Sequence, residues 1–276
     1  MDGAIVGAIA AKEARAGLRT RWFLLYAAVF VVLSVGVSTV AMAGSNLTGQ
    51  PGFGRTSAGL LNLMLLMVPL IGLTVGAQSL VGERQDRSLD YLLAQPVSAG
   101  EVFLGKYLGA AASLVMMLVL GFGCSGVVLA VRGGAAGVDD FALLVALTLL
   151  LGLGMLSIGY LISSFSPQAA AALGIAVTLW LGFVIVGDLG LMGSALVMDL
   201  RPQTLLAMTL INPLDVYKLL TVDRLHASLD VLGPAGTYAT ERLGAALAPV
   251  MLGLLAVWIL LPLPIGYRLF TRTDVR

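Results

Sequence analysis

Charge is scarce in this chain: Asp, Glu, Lys and Arg make up 11% of 276 residues, against 59% hydrophobic. Soluble domains carry about 25% charged residues, so a chain this poor in charge has no polar coat for its apolar surface, and a water-soluble globule is excluded. The formal net charge of +1 gives no field for a polyanion and argues against a nucleic-acid partner. Cysteine and histidine are each present once, as Cys124 and His226. That rules out a disulfide framework within the chain and any His/Cys metal cluster of ordinary spacing, so the chain is assigned no metal. Cys124 lies in an apolar run and reads as a small packed thiol; His226, in a polar stretch, reads as a solvated side chain. A membrane enzyme such as an intramembrane protease or lipid transferase needs a nucleophile with a base, or paired acids, at membrane depth. No apolar run here contains a histidine, and none places Ser or Asp beside an evident base.

Long apolar runs are what the chain does have. A bilayer core takes about 20 apolar residues as a helix, and six runs qualify: 22–43, 60–81, 107–131, 141–165, 168–192 and 244–267. The expected fold is all-α, a single transmembrane domain over residues 1–276 with six spans. Six spans put both termini on one side. Lys12, Arg15, Arg19 and Arg21 before the first span, Arg84, Arg87 and Lys106 between the second and third, and Arg268, Arg272 and Arg276 after the sixth mark that side as cytoplasmic. The first run is too long for a signal-peptide core and is expected to be a retained anchor. Its prelude sets Ile9, Leu18 and Trp22 among basic residues, the pattern of an amphipathic helix on the inner membrane surface. Glycines four apart, Gly72 with Gly76 and Gly105 with Gly109, together with Gly152, Gly154 and Gly159, are expected to let helices approach closely.

Residues 82–106 interrupt the oil. Leu89, Leu92 and Leu93 share one helical face, with Asp86 and Asp90 on another. Pro96 ends that helix. Ser98 and Glu101 then have capping-box spacing, flanked by Val97 and Val102 as a hydrophobic staple. The sequence therefore specifies an elbow, a short helix held at an angle and joined to the third span through Lys106. From the residues alone it is either a docking helix for an external motor or a well-capped interfacial loop. A second contact point is offered by "SSFSPQ" between the fourth and fifth spans, with Ser166 as cap and Pro167 at the first helical position; a plain turn is the slightly favoured reading.

The segment 193–243 is longer than a connection requires, which argues for structure of its own. Asn212 and Pro213 begin a helix with Asp215 in its first turn and Leu214, Tyr217, Leu220 and Val222 along it. Asn212, Pro213, Asp215, Tyr217 and Lys218 are the candidates for a partner-docking surface or a gate, with Tyr217 expected at headgroup depth; an ordinary aromatic belt is the alternative. Asp188, near the outer end of the fifth span, is expected to sit at the interface. Met192, Met198 and Met208 cluster around this segment, where gap filling outweighs a copper path.

"GER" at 82–84, "SLDYLLAQPVS" and "GEVFLGKYLG" resemble the coupling-helix region of the permease subunits of type 2 ABC transporters. "VLGFGCSGVVLA", "FVIVGDLGL" and "LTLINPLDVYKLLT" are similar to the membrane subunits of ABC complexes that mature the copper sites of nitrous oxide reductase. The resemblance implies a homodimer in a bacterial inner membrane, a periplasmic β-helical protein on its outer face and a copper lipoprotein nearby. It also implies a separate cytoplasmic ABC ATPase that binds ATP and Mg, since no G-x-x-x-x-G-K-[ST] stands in this chain and no cofactor is expected in it. Glu83, Arg84, Asp86, Leu89, Asp90, Leu92 and Leu93 would form the ATPase-coupling region. An exporter of lipid, antibiotic or other small cargo is the alternative within the class, and a passive scaffold the alternative outside it.

Overall fold

A computed structural model describes residues 2–48, 52–86, 88–93, 95–133, 138–188, 202–225 and 234–273. Arg87, Met192, Met198, Arg201, His226 and Arg276 lie outside the described residues, as do the side chains of Trp22, Asp90, Leu93 and Asp188. Every regular element among the described residues is helical. In order they are α1 (Gly3–Arg19), α2 (Arg21–Thr48), α3 (Gly52–Ser79), α4 (Val81–Gln85), α5 (Ser88–Leu93), α6 (Ala99–Gly133), α7 (Val138–Phe165), α8 (Ala169–Asp188), α9 (Pro202–Ile211), α10 (Pro213–Arg224), α11 (Pro234–Leu243), a 3-10 turn (Gly244–Ala246), α12 (Leu247–Leu260) and α13 (Pro262–Thr273). Five helical stretches are long and apolar enough to cross a membrane, and a sixth is counted when the bent pair α1 and α2 is taken as one. The molecule is an all-α membrane protein.

The bend has a local cause. Asp2 caps α1 by accepting from the amide of Ala4 at 2.9 Å. The helix stops at Thr20, whose ψ of 130° is extended, and the chain resumes as α2 at 68° to it. One residue thus separates the two helices. Ile9 and Leu18 pack against the core as expected of the apolar face. That face rests on protein, since α1 runs alongside the first turns of α6 and fits onto Gly105 and Gly109. A Cβ on Gly105 would come within 2.8 Å of the Ile9 side chain, and one on Gly109 would overlap Glu13.

Helices α3 and α7 form the central seam, and glycine is its reason. A Cβ on Gly72 would stand 2.9 Å from the Gly152 carbonyl. One on Gly76 would overlap the Leu156 carbonyl, and one on Gly159 would overlap that of Leu73. Around the seam Met64, Val68, Leu73, Ala77, Leu114, Leu118, Leu151, Met155 and Leu156 are buried. The other faces remain oily: Val32, Val40, Leu120, Val127, Ile185, Val186 and Leu260 are exposed, as lipid-facing surfaces are.

Two expectations change here. Gly154 is not crowded; a Cβ there would meet Trp258 at an ordinary 3.7 Å. Cys124 is exposed beside Val119, Leu120, Gly123 and Val127; in lipid the outward face is as apolar as the interior, so hydropathy alone does not tell the two apart.

Adding a methyl at the seam should be costly. Gly76→Ala or Gly159→Ala is expected to destabilise the fold by roughly 1–3 kcal/mol, the cost of overpacking. Gly123→Ala, with nothing within 4 Å, should be neutral. Melting of the purified chain in detergent checks the contrast.

Candidate coupling site

The elbow begins where α3 gives way to α4 at Leu80. This break is buried, and its backbone is supplied with a partner from across the bundle. The Ser163 hydroxyl accepts from the amides of both Leu80 and Val81, each at 2.9 Å. The neighbouring Arg84 donates from Nη1 to the Ser166 carbonyl at 2.7 Å and from Nη2 to the Ser164 carbonyl at 3.4 Å. Those carbonyls belong to the C-terminal end of α7, where helical acceptors lack intrahelical donors. The "SSFSPQ" turn and the 82–106 segment are therefore joined, with Arg84 as the tie.

Ser166 itself differs from expectation. Its hydroxyl donates to the Ile162 carbonyl at 2.7 Å, closing the end of α7. The following helix starts at Ala169, with Gln168 accepting its first backbone bond from Ala172 at 3.0 Å. Pro167 thus precedes the helix. A serine between two helices can serve either one, and here the backward bond wins.

Glu83 engages a different helix from Arg84. Its Oε1 lies 2.9 Å from Lys106 Nζ, which also donates to Glu13 Oε2 at 3.0 Å. Lys106 is 1% exposed, whereas Glu13 and Glu83 are 22% and 28% exposed. Three elements, α1, α4 and α6, meet on that ammonium. Breaking a buried pair by removing one partner costs about 3–5 kcal/mol. Glu83 is accordingly an internal strut as well as a candidate contact residue. Beside the strut lies a cavity of about 370 Å³, lined by Glu13, Tyr26, Gln78, Glu83, Asp86 and Ser113 among others.

The start of α6 forms as the capping-box spacing requires. The Glu101 amide donates to Ser98 Oγ at 3.3 Å and the Ser98 amide to Glu101 Oε2 at 2.8 Å. Oε1 of the same carboxylate accepts from the Asp2 amide at 2.6 Å, tying in the beginning of α1. Farther along, Ser113 Oγ bonds the Ala14 carbonyl at 3.2 Å. The last helix joins the same end of the bundle, because Phe103 packs its ring against Tyr160, Tyr267 and Phe270 at 4.9, 5.6 and 5.6 Å. Both terminal helices and the elbow thus share one end.

The apolar face of the elbow points inward. Leu89 is 1% exposed and Leu92 is packed against the core, so these leucines hold the short helix to the bundle. What faces outward is polar: Gln85, Asp86, Ser88 and Gln95 are exposed, along with Pro96. Gln85, Ser88 and Gln95 were not singled out from the sequence, although a helix whose leucine face is buried must present the opposite one.

At the far end, α10 starts as expected. Asn212 caps it, accepting from the Leu214 amide at 3.1 Å, with Pro213 at the first position. Asn212 Nδ2 donates to the Phe183 carbonyl at 2.8 Å and to Asp215 Oδ2 at 2.9 Å. The helix is wedged against α12, α7 and α8. Tyr217 is fully buried, with its hydroxyl 2.8 Å from Thr148 Oγ1; burial pushes that phenol up to about 12, and it remains a neutral hydrogen-bonding group. Protein encloses Tyr217, where headgroup exposure was expected. Asp215 and Lys218 line a cavity of about 240 Å³ with Asn62, Leu66, Phe183 and Gly187 among others.

Comparison with known proteins places this geometry. The family model described as "ABC-2 family transporter protein" matches residues 7–275. The "Probable ABC transporter permease protein NosY" of Stutzerimonas stutzeri is 32% identical over 270 residues, covering 96% of this chain and 97% of that one. The protein of the same name from Pseudomonas aeruginosa is 31% identical over 279 residues, covering 98% and 99%. A helical membrane bundle with a braced elbow, matched over nearly its whole length, is thus a member of the ABC-2 transporter family and a homologue of NosY permeases.

Proposed function

We propose that this chain is the membrane permease of a homodimeric ABC complex in a bacterial inner membrane, with both termini cytoplasmic. In that reading a separate NosF-like ATPase binds ATP and Mg and grips the elbow from the cytoplasm. The permease carries the displacement to its outer face, where a periplasmic β-helical NosD-like protein uses it in assembling the copper sites of nitrous oxide reductase, with a NosL-like lipoprotein handling copper. The observation that supports it best is the double bracing of the elbow. Glu83 engages Lys106 on one side and Arg84 engages the end of α7 on the other, so force applied there is divided between two helices. An interfacial loop with only good caps has no need of either brace.

The inward leucines and outward polar residues separate docking from folding. Asp86→Lys combined with Ser88→Arg is expected to reduce co-purification of the ATPase at least tenfold and to abolish copper loading of the reductase, while the permease melts unchanged. ATPase retention and normal loading in that variant would remove the elbow from the docking surface and overturn the proposal.

Leu89→Ala should do the reverse. Removing a fully buried leucine costs about 2–5 kcal/mol, so the permease itself should melt earlier. ATPase association should fall only in proportion to the folded fraction, as read by the melting curve and by pull-down of the folded fraction.

A further inference from the structure

We propose that the 240 Å³ cavity between α3, α8 and α10 is a headgroup site for a zwitterionic phospholipid that carries a primary ammonium, of the phosphatidylethanolamine class. The cavity has no part in the coupling reading above. On α3 its lining residue Asn62 lies eighteen residues before the break at Leu80, about 27 Å along the helix.

Its depth points to lipid. The part of α3 that is apolar enough to cross a membrane begins at Leu60, and that of α8 ends at Gly187. Asn62 and Gly187 both line the cavity, so it lies at the edge of the apolar layer, where headgroups are. Asn62 and Leu66, one turn apart on α3, are exposed at its rim, and Ile185 and Val186 are exposed on the adjoining α8. The volume is below the roughly 300–1,000 Å³ of pockets that enclose a drug-sized ligand. It suits a headgroup, with the acyl chains left on those outer apolar faces.

Both signs of charge are built into the wall, one turn apart on α10. Asp215 is 4% exposed and Lys218 is part-buried. Asn212 orients the acid, donating from Nδ2 to Asp215 Oδ2 at 2.9 Å while also holding the Phe183 carbonyl at 2.8 Å. Gly187 gives it room, since a Cβ there would stand 2.7 Å from Asp215 Oδ1. A carboxylate has about four acceptor positions and an ammonium three donors, so each can serve a ligand alongside protein partners. On α3, Pro69 has no N–H to give the carbonyl of Leu65, another residue of the cavity wall.

The ligand's ammonium is matched by Asp215 and that backbone acceptor on the buried side. Its phosphate is matched by Lys218 and the Asn62 amide at the rim. Ionisable side chains facing a cavity at membrane depth mark ligand pathways. A quaternary ammonium has no N–H to donate and a glycerol headgroup has no cation, so the same wall discriminates against phosphatidylcholine and phosphatidylglycerol.

The test reconstitutes the full chain in nanodiscs holding equal amounts of these three lipids and counts the lipids retained on it by native mass spectrometry. Phosphatidylethanolamine should be retained at least tenfold over either of the others. Asp215→Asn, which can still accept from Asn212, should lose that preference. Lys218→Met should lower phosphatidylethanolamine retention at least tenfold, and Arg268→Met, an exposed charge at the elbow end, should leave it unchanged. Soluble phosphoethanolamine should not displace the lipid; displacement at equal concentration assigns the cavity to a free metabolite and overturns the lipid site. Equal retention of the three lipids by the parent overturns it, as does a preference for phosphatidylglycerol, the mark of general attraction to basic residues. Undiminished retention in either Asp215→Asn or Lys218→Met does the same. Should Asp215→Asn fail to fold, the headgroup order of the parent and the Lys218→Met result decide.

Discussion

A lysine buried beside an apolar span is tolerable only when its charge is met in place. Lys106 meets that condition with two carboxylates at 2.9 and 3.0 Å, and much of the surrounding architecture follows. Glu13 must come from a helix that lies against α6, so α1 is drawn off lipid and onto Gly105 and Gly109, whose missing side chains let it approach. Glu83 must come from a segment that turns back at the end of α3, so that helix breaks at Leu80, and Ser163 satisfies the amides at the break. An isolated ion pair on a solvated surface contributes between zero and about 1 kcal/mol. Enclosure makes the difference here, because the penalty for an unmatched charge grows as water is removed.

Two kinds of joint coexist in the bundle and have different mechanical character. Glycine seams, such as that of α3 with α7, hold backbones at contact distance with no side chain between them and resist sliding. Polar ties such as Arg84 on the end of α7 are few and directional, and each spans different elements. The elbow is attached by ties of the second kind together with the buried Val81 and Leu89 and the packed Leu92. It is firmly placed, yet it can be displaced without opening a packed seam. The exposed surface it offers, Gln85, Asp86, Ser88 and Gln95, is polar.

What could be read from the sequence was local. The Ser98 and Glu101 box and the Asn212 and Pro213 start involve residues two or three apart, and their geometry follows from helix periodicity. The glycine pairs were legible because they sit four apart along single helices. Contacts between distant segments were not. Glu13 and Lys106 are separated by 93 positions, and nothing in either neighbourhood names the other. A lone lysine at the mouth of an apolar run was nonetheless a signal that some carboxylate must reach it. Faces were a second blind spot. The leucine stripe of the elbow and the Tyr217 face of α10 were visible, but inward and outward are equally apolar for a chain in lipid. Periodicity identified the faces and left their direction open.

The long helix α7 shows how the two ends of the molecule are connected. Near its C-terminus, the Ser164 and Ser166 carbonyls receive Arg84, and Ser163 serves the α3–α4 break. Toward its other end Thr148 holds Tyr217 of the wedged helix α10. Fifteen residues separate Thr148 from Ser163, about 22 Å at 1.5 Å per residue. Between them Gly152 and Gly159 lock α7 onto α3. A helix of this length is stiff along its axis, so the two polar grips are ends of one rod. The α10 wedge carries Asp215 and Lys218 to the lining of the 240 Å³ cavity, on the same helix as Tyr217. The buried hydroxyl pair, the Asn212 bond to the Phe183 carbonyl and the buried Leu214, Val216, Leu219 and Leu220 together join α10 to the rest of the bundle.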